Sequence, residues 1–271
     1  MKRLTSTNAT SPLVFITGAS SGLGQALAWR FYQAGYRLAL VARRVSEVES
    51  WVGRQGISAE CYGIYSADVA QTDSIVQAGK DCMAAQGVPD VVIANAGISI
   101  GMDTSIREDI DVLAQTLATN NIGLAATFHP FVTGMVQRKS GTLVGIASVA
   151  GIRGLPGHGA YCASKAAVIS YCESLRGELI AETGKNGVKV VTIAPGYVAT
   201  PLTAQNSYSM PFLMQPEDFA DQAFHAITAG VSYRVIPWQM GMVAKLLRLL
   251  PNWLYDKVLA GRPRKKRQQA Q

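Results

Sequence analysis

Leu13-Val14-Phe15-Ile16-Thr17-Gly18-Ala19-Ser20-Ser21-Gly22-Leu23-Gly24 is the stretch that decides how this chain folds. Its first four residues form the continuous apolar run of a strand buried on both faces. Apolar residues then recur at helical spacing from about Leu23 to Ala34, so the glycine-rich segment is the turn between a first strand and a first helix. Glycines in such a turn let the backbone approach a pyrophosphate closely, while free N–H groups and the positive end of the helix dipole face its charge. Gly18, Ser20, Ser21, Gly22, Leu23 and Gly24 are therefore expected to contact phosphate.

Beyond this turn, short apolar runs alternate with longer amphipathic stretches. Arg37 to Val41, Val91 to Ile93, Gly141 to Ile146 and Lys189 to Ile193 each read as strand, with room for a helical crossover between them. Alternation of this kind predicts a single α/β domain of Rossmann type, a doubly wound parallel sheet with helices on both faces. Ligands in such sheets bind beyond the carboxyl ends of the strands. The reading divides the chain into an N-terminal extension (1–12), a catalytic domain (13–235) with a substrate lid at 201–215, and an amphipathic C-terminal segment with a basic tail (236–271).

The 271 residues are 48% hydrophobic and 16% charged, which is enough to bury a large core. Cys61, Cys82, Cys162 and Cys172 show neither CxxC pairs nor interleaved histidines, so no metal site or disulfide framework is expected and the thiols are read as reduced, in a cytoplasmic setting. The formal charge of +7 is concentrated in Arg262, Arg264, Lys265, Lys266 and Arg267. The body lacks the distributed basic surface of a nucleic-acid-binding domain, and the tail reads either as solvated or as an anchor to an anionic surface. Residues 1–12 carry no apolar core of a signal peptide.

The second strand ends in Val41-Ala42-Arg43-Arg44. An NAD-binding site of this architecture places an acidic residue there to hold the ribose 2′-OH. Ala42 followed by two guanidinium groups instead matches a 2′-phosphate through charge-assisted bonds, so NADP(H) is the expected coenzyme, with Arg43 favoured over Arg44.

Tyr161 and Lys165 lie four residues apart in a stretch that reads as helix, which puts both on one face. An ammonium about 4 Å from a phenol contributes roughly 4 kcal/mol at an effective dielectric of ~20, close to ~3 pK units before desolvation opposes it. Lys165 is thus expected to activate Tyr161 for proton transfer. Ser148 ends the strand before this helix, at an interval that lets both hydroxyls converge on one oxygen. His129 and His158 are read as packing and loop residues without a catalytic role.

With these residues in place the chain resembles the short-chain dehydrogenase/reductase family over roughly Leu13 to Thr200. The resemblance rests on the T-G-x-x-x-G-x-G turn, Asp68-Val69, Ala94-Asn95-Ala96-Gly97, the N-x-x-G stretch from Asn120, Ser148, Tyr161-x-x-x-Lys165 and Pro195-Gly196. Ala94 departs from the family, which often has a second asparagine there. The resemblance implies that Asp68 with Val69 holds the adenine and that Asn95, Ala96 and Gly97 let the coenzyme pass. It implies that Ser148 holds the substrate oxygen, Tyr161 transfers the proton, and Lys165 also binds the nicotinamide ribose. Asn120 would hold a water leading to solvent, with Asn121 as a rival, and Pro195, Gly196, Val198 and Thr200 would hold the carboxamide. Homodimers or homotetramers through the helices carrying Asn120 and Tyr161 are implied in the same way.

The expected reaction interconverts a secondary alcohol and a ketone. Between Pro201 and Met214 the chain is rich in apolar residues, including Leu202, Tyr208, Phe212 and Leu213, which either close over a hydrophobic, lipid-like substrate or pack as core. Met240 to Leu250 is too short and too charged to span a membrane, but Lys245 and Arg248 fall on one helical face and leucines on the other, with Trp238 and Trp253 at the borders. A peripheral contact of 237–267 with the inner face of a membrane, contact with a partner subunit, and packing on its own domain all remain open. The alternatives to a free ketone as substrate are a 3-oxoacyl thioester on an acidic carrier, or no turnover at all in an NADP(H)-sensing binding protein.

Overall fold

The computed structural model describes residues 11–204, 209–261, 264, 265 and 267. Seven strands, β1 (Leu13–Thr17), β2 (Arg37–Ala42), β3 (Tyr62–Ser66), β4 (Val91–Ala94), β5 (Thr142–Ile146), β6 (Lys189–Pro195) and β7 (Tyr233–Ile236), form one sheet in the order β3-β2-β1-β4-β5-β6-β7. Every pairing is parallel, so the doubly wound sheet is as the sequence predicts. β1 pairs with β2 through Leu13↔Arg37 and with β4 through Val14↔Val91. The order of winding reverses between β1 and β4, and the turns leaving these two strands diverge to open a crevice.

Helices α1 (Gly22–Gln33), α2 (Val45–Gln55) and α7 (Pro216–Thr228) cover one face; α3 (Thr72–Gln86), α4 (Glu108–Leu117), α5 (Gly123–Gln137) and α6 (Gly159–Thr183) lie toward the other. Alternate residues of each strand feed two cores. Val14, Ile16, Phe31, Trp51 and Phe219 belong to the first, and Leu13, Phe15, Phe128 and Phe131 to the second, where Phe15 meets Phe131 edge-on at 4.8 Å. Burying one such aromatic contributes roughly 1.5–3 kcal/mol, which fixes the strand register that aims each carboxyl end at the crevice. All four cysteines are buried and none is in a disulfide.

Helices α8 (Trp238–Leu249) and α9 (Asn252–Leu259) follow β7. The side of α8 turned inward is made of Met240, Gly241 and Ala244, with Gly241 set so closely on Val235 that an added Cβ would lie 3.0 Å from it. Arg153 clasps the pair to the turn before α6: its Nη1 donates to the carbonyls of Leu247 and Leu250, the latter at 2.7 Å, and its guanidinium stacks 3.8 Å over the Tyr255 ring. Leu246 and Leu249 are 64% and 81% exposed, so the leucines of α8 do not form a buried face opposite the cations. Small residues allow the close approach to the domain, and the long ones are left outside.

Part of the tail pairs with the domain. Arg267 donates to both oxygens of Asp109, Nε to Oδ2 at 2.6 Å and Nη2 to Oδ1 at 2.9 Å, and Arg264 pairs with Asp103 at 2.9 Å. These two cations are neutralised by the domain itself. Arg262 and Lys266 lie outside the described residues, as does Tyr208 of the lid.

Candidate functional site

The carboxyl ends of β1, β4, β5 and β6 border a cavity of about 490 Å3, within the range of small-molecule sites. Of the catalytic and coenzyme-binding residues expected from the sequence, all but Gly24 and Asn120 line it. Gly24 sits one layer beneath, where an added Cβ would lie 2.1 Å from the Gly18 carbonyl oxygen, so only glycine lets α1 start this close to β1. Ser21 precedes α1 in extended conformation and its side chain does not cap the helix, which leaves first-turn N–H groups available to a ligand.

Thr17 is a functional residue the sequence reading did not single out. Its hydroxyl accepts the N–H groups of Asn95 and Ala96, both at 3.1 Å, while Asn95 Nδ2 donates to the Thr17 carbonyl at 2.9 Å. The turns after β1 and β4 are thereby stitched together across the crevice. The available signal was a hydroxyl ending an otherwise apolar strand.

At the outer end of the cavity Arg44 Nη2 lies 3.4 Å from Ser20 Oγ and Nη1 lies 3.0 Å from Glu47, whereas Arg43 reaches 3.7 Å toward Asp68. Asp68 also accepts the Ala70 N–H at 3.0 Å, which fixes the turn carrying Val69. Exposed ion pairs are worth about 0–1 kcal/mol, so either guanidinium exchanges its present partner for a phosphate at little cost.

At the inner end, Ser148 Oγ accepts the Ala150 N–H at 3.1 Å and lies 3.4 Å from the Pro195 carbonyl. Its hydroxyl is close enough to that of Tyr161 to lower the phenol's pKa. Lys165 is 4% exposed; its Nζ donates to the Ile146 carbonyl at 2.7 Å and sits 5.7 Å from the centre of the Tyr161 ring. Burial pushes Tyr161 up to about 12, against the lowering effect of Ser148, and pushes Lys165 down to about 8. Burial is the largest influence on both groups in the protein alone, ahead of any neighbouring charge. The phenol stays protonated at neutral pH.

The depressed lysine has a consequence for stability. Folded Lys165 loses its proton near pH 8 and the unfolded lysine near 10.5, so across that window the unfolded state binds more protons and stability rises with pH. Relative to Lys165→Met, the wild type is expected to gain about 3 kcal/mol between these pH values, read by denaturant unfolding of both proteins. A constant difference would show that Lys165 keeps an ordinary affinity for its proton.

Asn120 lies in a wide π turn, Ala118–Ile122, between α4 and α5. Its Oδ1 accepts the Ile98 N–H at 2.9 Å, and its Nδ2 donates to the Ile98 carbonyl at 3.0 Å and to Ser164 Oγ at 2.9 Å. Asn121 instead donates to the Ser164 carbonyl. A Cβ on Gly97 would lie 3.1 Å from Asn120 Oδ1 and 3.6 Å from Lys165 Nζ, so the missing side chain keeps this passage open. Thr200 and Val198 are held by Thr203, whose hydroxyl accepts the Thr200 N–H at 3.1 Å and donates to the Val198 carbonyl at 2.6 Å. Among the described residues no cluster of His, Cys, Asp and Glu suited to a metal ion occurs.

A Rossmann-type sheet, a phosphate-binding turn at its switch point, and a serine, tyrosine and lysine grouped at the inner end define the class of nicotinamide-dependent oxidoreductases. The family model described as short chain dehydrogenase matches residues 12–210, and the chain belongs to that family. An uncharacterized oxidoreductase of Myxococcus xanthus is 36% identical over 241 residues, covering 89% of this chain and 93% of that protein. Dehydrogenase/reductase SDR family member 7B of Bos taurus is 30% identical, with 94% and 82% covered. Among solved structures, a short-chain dehydrogenase of Streptomyces avermitilis superposes with a TM-score of 0.74 at 23% identity, covering 94% of this chain and 99% of that one. An actinorhodin polyketide ketoreductase solved with NADPH superposes at 0.75 and 24%, covering 85% and 97%.

Proposed function

We propose that the protein is an NADP(H)-dependent reductase of ketones, and oxidant of the corresponding secondary alcohols, acting on hydrophobic substrates. The observation that carries the chemistry is the hydroxyl pair of Ser148 and Tyr161 beside buried Lys165 on the wall of the cavity. NADP(H), when bound, supplies or accepts the hydride. Gly18, Ser20, Ser21, Gly22 and Leu23 would hold its pyrophosphate, Arg43 and Arg44 its 2′-phosphate, Asp68 and Val69 its adenine, and Pro195, Gly196, Val198 and Thr200 its carboxamide. Asn95, Ala96 and Gly97 leave the space between. In reduction the Tyr161 phenol gives its proton to the carbonyl oxygen, which Ser148 holds, as hydride reaches the carbonyl carbon. Lys165 offsets the charge left on the phenolate. Asn120, whose two amide hydrogens are both taken by protein groups, acts as a positioning residue that holds Ile98 and α6 in register.

Exposed Leu202, Phe212 and Leu213 on the lid favour an apolar substrate. Turnover of NADPH and of NADH with ketones from short and polar to long-chain and acyl-thioester tests the reading. A rate that rises with chain length and prefers NADPH supports it; a preference for carrier-bound 3-oxoacyl groups would replace the free ketone as substrate. Coenzyme binding with no turnover would make the protein a sensor.

A peripheral membrane contact fits the catalytic domain's C-terminal extension. Trp238, Met242, Leu246, Leu249 and Trp253 are exposed on α8 and α9 beside Lys245, Arg248 and Lys257. Between Pro237 and Gly261 these three cations stand against one acid, Asp256. Apolar side chains among cations suit an anionic bilayer surface. No described helix is long and apolar enough to cross a membrane. Cosedimentation with phosphatidylcholine vesicles containing phosphatidylserine, lost in Leu246→Glu/Leu249→Glu, is the expected result; equal binding of the variant would remove the contact. Exposed Ile122 lies in the turn carrying Asn120, Ile110 on the preceding α4, and Tyr171 and Ile180 on α6 with Tyr161, where a homodimer or homotetramer would form. A monomer in light scattering would exclude it.

A further inference from the structure

We infer that Arg264, Lys265 and Arg267 form the outer wall of the substrate cleft and limit the size of the substrate it admits. The inference rests on Ser148 and Tyr161 marking the substrate site. One side of that cleft is the segment after β4, where Ile98 and Ile100 border the cavity; packed against the continuation of that segment is the turn that ends at His158, three residues before cavity-lining Tyr161. The two sides meet where the Met102 N–H donates to the Gly157 carbonyl at 3.1 Å and the Ala160 N–H reaches Met102 Sδ at 3.1 Å.

The tail lies across this junction. Arg267 forms a parallel β-bridge with Gly101, next to cavity-lining Ile100. On the opposite side an added Cβ at Gly157 would lie 2.9 Å from Lys265 N and 3.0 Å from Arg264 Cβ, so the tail backbone rests directly on the turn leading to Tyr161. Arg264 and Lys265 therefore rest against the Gly157 turn, while Arg267 pairs with the segment after β4.

A built anchor holds the tail there. Asp109, in the first turn of α4, is 3% exposed, and its carboxylate receives Arg267 through both oxygens and the Asp103 N–H at 2.6 Å. The Asp103 carboxylate in turn receives Arg264. The bidentate pair, with the Asp103 N–H as a further donor, leaves both carboxylate oxygens satisfied when the tail is seated. The guanidinium of Arg267 holds both carboxylate oxygens by the same fork-to-fork geometry that makes arginine hard to replace by lysine. Because Asp103 and Asp109 belong to the segment that also carries Ile98 and Ile100, seating the tail fixes that side of the cleft as well as covering it.

The test compares the full chain with a truncation ending at Gly261, made together with Asp109→Asn so that no buried charge is left unpaired. Removal of the wall is expected to raise kcat/KM for bulky ketones relative to the smallest one by about tenfold, the scale on which a pocket discriminates substrates differing by a methylene, with the KM for NADPH unchanged. Equal effects on every ketone, or none, would overturn the inference. Hydrogen exchange gives a reading independent of turnover: the amides of Gly101 to Asp103 and of Gly157 to His158 are expected to lose protection in the truncation and in Arg267→Ala, and to keep part of it in Arg267→Lys. If no ketone is turned over by the wild type, the proposed reaction fails; if protection there is the same in all variants, the wall fails.

Discussion

Tyr161→Phe is expected to lower the rate of ketone reduction about 10³-fold while the affinity for NADPH stays within a factor of about 2. The substitution keeps the ring and its packing and deletes one hydroxyl. That hydroxyl lies beside Ser148 and, pushed up to about 12 by burial, is loaded with its proton throughout the neutral range, which suits it to give the proton to a developing alkoxide. The phenolate left behind lies near the ammonium of Lys165, so the charge that burial disfavours before the reaction has a partner once it forms. Single-turnover reduction of the best ketone, with coenzyme affinity measured by fluorescence titration, separates the two quantities. A residual rate within tenfold of the wild type would mean that the proton comes from elsewhere, with Ser148 or solvent as the source.

Arg43→Ala combined with Arg44→Ala is expected to raise the KM for NADPH about 10²-fold or more and to leave that for NADH nearly unchanged. Each charge-assisted hydrogen bond to the 2′-phosphate contributes roughly 1.5–3 kcal/mol, or ~10- to 100-fold. The sequence favoured Arg43, but the structure turns Arg43 toward Asp68 and brings Arg44 within 3.4 Å of Ser20 in the phosphate-binding turn. The single Arg44→Ala variant is therefore expected to lose as much as Arg43→Ala. Steady-state kinetics with both coenzymes decides the matter. A parallel loss with NADH would show that these arginines support the fold of the strand end and do not read the coenzyme.

The residues brought together in the cavity were legible one by one because short-range chemistry dictates them. The turn after β1 must have glycines to pass a phosphate, and the i, i+4 spacing of Tyr161 and Lys165 puts both on one side of α6 whatever the rest of the chain does. Thr17 was less legible, since its hydroxyl works across the crevice on Asn95 and Ala96, 78 and 79 positions away. Its place at the head of the glycine-rich turn was visible, but its partners across the crevice were not.

The alternation of strands and helices, the parallel sheet, the switch-point turn and the family all follow from the amino-acid order alone, because hydrophobic period and glycine placement are local properties of the chain. The protonation of the inner site and the fate of the C-terminal segment emerge only on folding. Burial sets the acidities of Tyr161 and Lys165, and burial is a sum over neighbours from several elements. The tail's cations looked free in sequence because the partners of Arg264 and Arg267, Asp103 and Asp109, lie 161 and 158 positions earlier; folding alone puts these carboxylates of the α4 region beside them.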